Sequence, residues 1–539
     1  MNVYYLFEPI CLIKKNGLLS FTKGRVIFMI ATNGQKARDL LADQNLHIIN
    51  NPSSFFKSLF NKPKPKKVTV ITAVYNGENF IRKTIESVIS QTIGFDRIQY
   101  IIVDDCSTDS TRDIIQEYTS KYKNISLVCL PYNIGSPGTP RNIGIEMALS
   151  KYITFLDADD WLHNKGLETL CEILDETNDD YVVGKTIKVE SDSQSVIGEY
   201  ASVMERRKVS PFSIPHFFYH MGPTSRMMKL SLLKEHEIRF PEMRFAEDKL
   251  FFCDVFFHAT SVSTTTKPIY YVNRTAENSN SLTRTVNVLE KRKSDIQVIE
   301  YIKSKNLPIE QEKVALTRLY EYDIVKTFDS QLFVKSEKKE DFLNILRQAV
   351  ETTHNLRYDF RSEFKTPIYR AAIDLFVEDR MEDFIKLFEW LKKDKNKKII
   401  IKDNLPYYEV PFFNDKYQYI RIPMLARALD SHIIDHTYYQ SVEVFGDDIA
   451  NINYILIRDR TRVGNEVKID FERTGNILTF KVDIQTLSDI ENSLFTFFIR
   501  YNDYQLLNIK RILKNQISYS KRNYSFYTSV ANNLGLSIK

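Results

Sequence analysis

Between residues 67 and 287 the sequence alternates between short β-branched apolar runs and segments with helical periodicity. The first run, residues 68–73, has no alternation of apolar and charged residues, which is typical of a strand buried on both faces of a sheet. Residues 80–91 then repeat apolar side chains at helical spacing. Further strand-like runs follow at 98–103, 125–129 and 152–156. Strands separated by helices predict an α/β domain with a mostly parallel sheet and right-handed crossovers.

The rest of the chain divides into three segments with different patterns. Residues 1–66 hold two short apolar runs, which predict a small β-rich cap, and end in alternating lysine and proline typical of a linker. Residues 288–397 show helical periodicity and contain no glycine. In residues 398–539, β-type runs recur at intervals of about 10–16 residues between turn residues. We therefore expect an N-terminal extension, an α/β domain (67–287), a helical linker and a C-terminal β-sandwich.

Composition excludes several classes of protein. A chain of 539 residues that is 43% hydrophobic is not disordered as a whole. Its net charge of +5 indicates no concentrated basic face, so no nucleic-acid partner is expected. The five cysteines are widely spaced and argue against a disulfide framework or a thiolate metal site. No apolar window is long enough for a membrane span and the N-terminus is a poor signal peptide, which predicts a soluble, cytoplasmic protein.

Acidic residues follow two of the predicted strands. Asp104 and Asp105 follow the second strand, and Asp157 and Asp159 follow the fourth. Ligands of doubly wound sheets bind at the carboxyl ends of the strands, so both clusters are expected at one edge. Like charges there favour a divalent cation, Mn²⁺ or Mg²⁺, that carries a phosphorylated ligand. The alternative is that Asp157 and Asp159 only cap the next helix.

Glycine-rich phosphate loops are missing from the sequence. No GxGxxG follows the first strand and no GxxxxGK[ST] occurs, which argues against dehydrogenases and P-loop NTPases. A metal would then have to hold a diphosphate. Arg141, near the start of a predicted helix, suits a supporting role because guanidinium and helix N-termini both attract anions. A surface ion pair is the alternative for Arg141.

Taken together, these motifs resemble the inverting family 2 glycosyltransferases of GT-A fold. The likeness rests on four ordered segments: 70–76 (VITAVYN), 102–109 (IVDDCSTD), 141–144 (RNIG) and 155–160 (FLDADD). It spans about residues 67–285. The resemblance implies a Rossmann-like GT-A domain and a nucleotide-sugar donor, usually a UDP-sugar.

The same resemblance implies roles for individual residues of the donor site. The Tyr75 loop and Asp104 are expected to contact uracil, Asp157 the ribose or metal side, and Asp159 the metal on the diphosphate. Residues 270–284 have side chains suited to closing over a diphosphate, although such basic loops are usually solvated. The full predicted donor site comprises Ala73, Tyr75, Glu78, Asp104, Arg141, Asp157, Asp159 and Arg274.

An inverting transfer also needs a carboxylate that removes the proton from the acceptor hydroxyl. Glu247 and Asp248 begin an amphipathic helix about 90 residues after Asp159. In the family the corresponding Glu-Asp pair supplies the base, which we assign to Asp248, with Glu247 beside it in the catalytic pair. The alternative is an ordinary acidic pair that favours the helix N-terminus.

Two segments resemble more closely the wall teichoic acid glycosyltransferases that modify poly(ribitol phosphate): 137–142 (PGTPRN) and 244–249 (RFAEDK). Those enzymes also have a helical linker and a β-sandwich used for self-association. The resemblance implies a hexosyltransferase that transfers β-linked glucose or N-acetylglucosamine to this anionic polymer, assembles as a trimer, and is at most peripheral at the inner face of the cell membrane. Two alternatives stay open: a capsular or exopolysaccharide transferase with a lipid-linked acceptor, and a non-catalytic polymer- and nucleotide-binding protein.

Overall fold

The computed structural model describes residues 34–43, 46–51, 66–278, 287–488, 490–510, 515–519 and 522–539. The two apolar runs predicted as a β-rich cap lie within residues 1–33, outside the described residues, as does most of the lysine-proline linker. Among the described helices, none combines the length and the apolar character needed to cross a membrane.

A mixed sheet forms the centre of the first half of the chain. Within the described residues its strands are β1 His47–Ile49, β2 Val68–Val74, β3 Ile98–Asp104, β4 Ile125–Cys129, β5 Tyr152–Phe155, β6 Trp161–Leu162, β7 Tyr181–Val189, β8 Gln194–Ile197, β9 Arg206–Val209, β10 Arg226–Lys229 and β11 Val262–Asn273. Their order is β1-β4-β3-β2-β5-β10-β7-β11-β6, with β8 beside β7 and β9 beside β11. The pairs β2–β3, β3–β4, β2–β5 and β7–β11 are parallel, and β1 and β10 run antiparallel to their neighbours.

Helices connect these strands and continue beyond them. In chain order they are α1 Gln35–Ala42, α2 Ile81–Ile89, α3 Thr111–Lys121, α4 Gly138–Met147, α5 Gly166–Thr177, α6 Glu199–Ser202, α7 Leu230–Glu235, α8 Glu247–His258, α9 Val288–Ser304, α10 Ile309–Thr317, α11 Gln331–Lys335, α12 Lys339–Glu351, α13 Pro367–Val377 and α14 Met381–Lys393. A π-helical segment, Arg318–Ile324, continues α10. Short 3₁₀ turns occur at Phe95–Arg97, Pro211–Ser213, Phe217–Tyr219, Val325–Phe328, Phe360–Glu363, Ile449–Asn451 and Ile484–Leu487.

The central strands form where the sequence predicts them. β3 and β4 are buried along their whole length, as expected for strands covered by helices on both faces. One glycine allows a close helix–sheet contact: a Cβ on Gly144 in α4 would lie 2.6 Å from Ile71 Cγ2 in β2. The glycine therefore lets α4 approach β2 closely, and this contact fixes the position of the α4 side chains relative to the sheet.

The described part of the N-terminal extension joins the α/β domain. Ala37 and Leu40 of α1 are buried in the same core as Ile71, and Arg38 pairs with Glu146 of α4 at 3.3 Å. β1 pairs antiparallel with β4, placing His47 opposite Cys129. This part of the extension thus adds a helix and an edge strand to the predicted domain.

The helical region and a small sheet share one core with the α/β domain. That sheet consists of β12 Ile399–Lys402, β13 Leu405–Glu409 and β14 Tyr419–Arg421. Val410 and Phe413 are buried in the core that includes Phe388 of α14, and the Trp390 ring packs edge-on against Tyr408 with centroids 5.8 Å apart. The core thus groups residues 399–421 with the helices that precede them.

Within the described residues, the C-terminal strands pair into one continuous eleven-stranded sheet around a single apolar core, where a β-sandwich was predicted. They are β15 Met424–Ile434, β16 Thr437–Gly446, β17 Ile452–Asp459, β18 Glu466–Ile469, β19 Glu472–Thr474, β20 Ile477–Asp483, β21 Leu494–Tyr501, β22 Gln505–Lys510, β23 Asn515–Tyr519, β24 Arg522–Thr528 and β25 Leu534–Ile538. Tyr438 of β16 stacks on Phe526 of β24 at a centroid distance of 3.7 Å inside a separate apolar core. The predicted class, an α/β domain with a mostly parallel central sheet followed by helices and a β-rich region, is confirmed.

Candidate functional site

The carboxyl ends of three parallel strands meet at one edge of the central sheet. Val74 at the end of β2 lies opposite Asp104 at the end of β3, and Ile71 of β2 lies opposite Phe155 at the end of β5. The loops that follow these strands therefore lie side by side. They contain the predicted donor-site residues up to Asp159, apart from Ala73 within β2, Asp104 at the end of β3 and Arg141 on α4.

Hydrogen bonds join the loops that follow β2 and β3. The backbone N–H of Asn76 donates to Ser107 Oγ at 2.9 Å, and the N–H of Thr108 donates to Asn76 Oδ1 at 2.9 Å. The Glu78 carboxylate accepts the N–H of Ser110 at 3.0 Å, so Glu78 connects the two loops. Tyr75 is 51% exposed at the same edge, where its ring is accessible for stacking.

Asp104 is fully buried at the end of β3. Its carboxylate accepts a hydrogen bond from Arg112 Nε at 2.5 Å and another from the N–H of Ser107 at 3.1 Å. The neighbouring Asp105 accepts the N–H of Ile134 at 2.7 Å and so connects the loop after β3 with the loop after β4. The structure therefore places Asp104 as an anchor of the predicted uracil-binding loop, with its carboxylate turned toward Arg112.

The three aspartates after β5 have different surroundings. Asp157 accepts a hydrogen bond from Arg141 Nη2 at 2.8 Å, and Asp159 accepts one from Asn278 Nδ2 at 2.5 Å. Asp160 is buried, where it accepts the Tyr270 hydroxyl at 2.9 Å and thereby fixes β11 against this loop. Burial, and then the charge of Asp157, raise the pKa of Asp159, whereas its bond to Asn278 lowers it. Asp157 and Asp159 are thus close, mutually repelling carboxylates.

Arg141 connects this aspartate loop with the predicted catalytic pair. Its buried guanidinium bonds Asp157 through Nη2 and Glu247 Oε1 through Nη1, the latter at 3.4 Å, and lies 5.2 Å from the centroid of the Phe240 ring. Burial lowers the pKa of Arg141, but the charges of Asp157 and Glu247 outweigh burial and raise it. Arg141, predicted as a diphosphate ligand, therefore holds two carboxylates of the site in fixed relation.

Glu247 and Asp248 form the first turn of α8. Ala246 precedes them with φ of +64°, a left-handed conformation that is rare outside glycine and often found at functional sites. Burial, and then the Asp248 charge, raise the pKa of Glu247 to about 7 although Arg141 opposes the shift. A Cβ on Gly222 would lie 3.8 Å from Asp248 Oδ2, so glycine keeps the space beside that carboxylate open.

The remaining predicted residues lie at the margin of the site. Ala73 is the penultimate residue of β2, opposite Val103 of β3. The N–H of Arg274 donates to the Val189 carbonyl at 2.8 Å, and the Arg274 charge lowers the pKa of Asp159, as expected for a cation close to that carboxylate.

Sequence reasoning missed Arg112, and it missed the partners of Tyr270 and Asn278, which both lie in the predicted segment 270–284. Tyr270 and Asn278 bond residues that precede them by 110 and 119 positions in the chain, so no local spacing indicates these contacts. Arg112 lies eight positions after Asp104, at the start of α3, where a basic residue is more often solvated. No signal in the sequence singled it out.

A divalent cation fits this edge only together with a phosphorylated ligand. Among the described residues, no group of three His, Cys, Asp or Glu side chains is arranged to hold a metal ion. Asp157 and Asp159 supply two carboxylates, whose repulsion a cation would remove. Mg²⁺ is commonly bound by one or two carboxylates plus substrate phosphates and waters, which matches this donor set.

Comparison with known proteins identifies the α/β domain. Residues 69–236 match the family model for glycosyl transferase family 2. This chain carries a family 2 glycosyltransferase domain. The match includes the loops after β2, β3 and β5 and most of the residues described above. The family predicted from the sequence motifs is confirmed.

Two curated relatives of the glycosyltransferase domain are named as poly(ribitol-phosphate) glycosyltransferases. The poly(ribitol-phosphate) beta-glucosyltransferase of Bacillus spizizenii strain W23 is 31% identical over 209 residues, which is 38% of this chain and 32% of that protein. The poly(ribitol-phosphate) beta-N-acetylglucosaminyltransferase TarS of Staphylococcus aureus is 30% identical over 208 residues, 38% of this chain and 35% of that one. The alignments therefore span about a third of the length of these relatives.

Solved structures of TarS share the fold. A crystal structure of S. aureus TarS matches 88% of this chain and 85% of that chain, with a TM-score of 0.56 and 18% identity. The TarS 1–349 structure in complex with UDP-GlcNAc matches 66% of this chain and 99% of that chain, with a TM-score of 0.55 and 22% identity. At this level of identity the likeness establishes the fold alone.

Proposed function

We propose that this chain is an inverting, metal-dependent glycosyltransferase that transfers a hexose from a UDP-sugar to a hydroxyl of poly(ribitol phosphate). The sugar is glucose or N-acetylglucosamine in β-linkage. The observation that carries the proposal is the Arg141 bridge, which joins Asp157 to Glu247 of the acidic pair on α8. The names of the two relatives support the donor sugars and the polymer acceptor.

In this proposal the donor binds at the carboxyl ends of β2, β3 and β5. Tyr75 stacks on the base, and Asp104 orients the loop that receives the nucleotide. Asp157 and Asp159 hold Mn²⁺ or Mg²⁺ with the diphosphate, and Arg274 adds positive charge near Asp159. When bound, the cation offsets the negative charge that develops on the departing diphosphate.

Asp248 acts as the base. It takes the proton from the acceptor hydroxyl while that oxygen attacks the anomeric carbon on the face opposite UDP. The bond from the anomeric carbon to the diphosphate oxygen breaks as the new bond forms, so the anomeric configuration inverts. Arg141, through its ion pairs with Glu247 and Asp157, keeps Asp248 at a fixed distance from the carboxylates that bind the donor.

Two further expectations remain part of the proposal. The first is self-association as a trimer through the β-rich C-terminal region, testable by mass photometry of the full chain and of a variant that ends before residue 424. The second is a cytoplasmic protein, at most peripheral at the inner face of the membrane, where a nucleotide-sugar donor is available. Co-sedimentation with anionic vesicles tests the peripheral association.

The decisive experiment measures UDP release from UDP-glucose and UDP-N-acetylglucosamine with Mn²⁺ and purified poly(ribitol phosphate). Asp248→Asn is expected to lower kcat by about 10²–10⁴-fold, because the general base is lost, while UDP binding is kept. Asp113→Asn on α3, which changes an exposed carboxylate, is the matched control. Nucleotide binding without turnover in the unmodified protein would contradict the proposal and favour the binding-protein alternative.

A second measurement distinguishes the poly(ribitol phosphate) hypothesis from the hypothesis of a lipid-linked acceptor. Poly(ribitol phosphate) and a lipid-linked oligosaccharide are offered as acceptors under the same conditions, and the product mass identifies the sugar transferred. Transfer only to the lipid-linked acceptor would overturn the teichoic acid assignment and leave the glycosyltransferase assignment intact.

A further inference from the structure

Three consecutive residues at the start of α8 point in three directions. Because each helical residue turns the chain by about 100°, neighbours in one turn face different surroundings. Glu247 contacts Arg141, and Asp248 faces the space beside Gly222. Lys249 points away from the site into the helical region.

The Lys249 ammonium is held by two buried carboxylates of that region. It pairs with Asp295 Oδ1 of α9 at 2.5 Å and with Asp323 Oδ2 of the π-helical segment at 3.1 Å. The side chains of both aspartates are at most 6% exposed. An ammonium bound by carboxylates from two different helices cannot turn without losing one of them.

Two arginines hold these carboxylates in place. Arg292 pairs with Asp295 at 2.9 Å and also donates to the Asp323 carbonyl, and Arg318 pairs with Asp323. Burying five charged groups together is costly unless every charge has a partner. Asp323 also lies in a π-helical turn, a feature that recurs at functional sites. The cluster therefore indicates a specific role that general packing does not explain.

We propose that Lys249 is a positioning residue: its ion pairs with Asp295 and Asp323 fix the rotation of the first turn of α8 and so the direction of Asp248. The helical region is then part of the catalytic unit and more than a spacer between two domains. The consequence for turnover rests on the proposed function, whereas the consequence for the order of α8 does not.

The test uses the full-length chain with Lys249→Met, Asp295→Asn and the conservative Lys249→Arg. Lys249→Met and Asp295→Asn are expected to lower kcat by about 10–100-fold with the KM for UDP-sugar changed by less than about threefold, because misplacing a catalytic group affects the chemical step. Lys249→Arg keeps most of the activity. The control, Glu290→Gln, removes an exposed ion pair with Lys293 on the same helix, α9.

Hydrogen exchange at the amides of residues 247–252 provides a second readout that does not depend on turnover. These amides are expected to exchange faster in Lys249→Met, with those of β2 and β3 unchanged. Unchanged exchange and kcat would overturn the proposal, as would a loss of kcat that only parallels loss of folded protein. If the unmodified protein shows no transfer at all, the proposed function fails, and the exchange experiment alone decides the role of Lys249.

Discussion

Glu247 shows how strongly a side chain depends on its surroundings in this site. An exposed glutamate loses its proton near pH 4.5, but burial and the adjacent Asp248 raise the pKa of Glu247 to about 7. Arg141 lowers that pKa only in part. The Glu247 carboxyl group therefore gains or loses its proton close to neutral pH, and the charge attraction between Glu247 and Arg141 is present only when that proton is lost.

Through this shift Glu247 makes a contribution to stability that depends on pH. Between about pH 4.5 and 7 the folded protein keeps a proton on Glu247 that the unfolded chain has already released. The contribution of Glu247 to the free energy of unfolding therefore falls as pH rises through this interval, by about 3 kcal/mol. Glu247→Gln should remove this contribution, so the stability at pH 7.5 relative to that at pH 5 should be higher in the variant than in the unmodified protein, as measured by urea unfolding at both pH values.

The exposed Glu117 on α3, which pairs with Arg82, serves as a control for that measurement. Glu117→Gln should leave the pH profile of the unmodified protein in place. Identical pH slopes for the unmodified protein and Glu247→Gln would show that the raised pKa is not coupled to folding.

At the scale of elements, the contact between α4 and β2 decides where Arg141 lies. Gly144 is one helical turn from Arg141 on α4, and its missing side chain lets the helix lie against Ile71. Asn142 of the same helix donates to the Phe240 carbonyl at 2.8 Å, which holds the Arg141 guanidinium near the Phe240 ring. The helix is therefore fixed on two sides.

Gly144→Ala is expected to destabilise the fold by about 1–3 kcal/mol, because its Cβ would lie 2.6 Å from Ile71 Cγ2 and force the helix away. Activity should fall as well, since Arg141 moves with α4. Thermal unfolding and kcat measure the two effects. In a double-mutant cycle with Ile71→Ala, the combined loss of stability should be smaller than the sum of the single losses; simple additivity would mean that the predicted clash does not occur.

At the scale of the whole molecule, the β-rich region is attached to the glycosyltransferase domain through ion pairs between partly buried and buried side chains. Glu199 of α6 accepts hydrogen bonds from Arg458 at 2.7 and 3.0 Å and from Arg500 at 2.8 Å. Burial opposes ionisation of Glu199, but the two arginines outweigh it and lower its pKa. A backbone bond from Gln194 to the Thr461 carbonyl, 2.7 Å long, lies nearby.

Glu199→Gln should loosen this attachment, because it leaves the buried Arg500 without its carboxylate partner. We expect a loss of about 2–4 kcal/mol and, in calorimetry, a separate unfolding transition for the β-rich region. Glu466→Gln is the matched control, since Glu466 pairs with the same Arg458 from within the β-rich region. Equal behaviour of the two variants would show that Glu199 does not couple the domains.

The sequence alone determined the elements and motifs of this protein, because they depend on local patterns. The β-branched runs form β2 to β5, and acidic residues lie at the carboxyl ends of β3 and β5. Glu247 and Asp248 begin a helix. These features were predictable because strand burial and helix starts produce residue patterns within about ten positions.

Only the tertiary structure decided the partners of those residues. That Arg141 bonds Asp157 and Glu247, that Arg112 holds Asp104, and that Asn278 reaches Asp159 depends on which loops the sheet order brings together. The same applies to Lys249 and its two aspartates in the helical region. Apart from the pair Arg112 and Asp104, which lie eight positions apart, these contacts join side chains distant in the chain, and hydrogen bonding between them leaves no periodic pattern in the sequence that could be recognised beforehand.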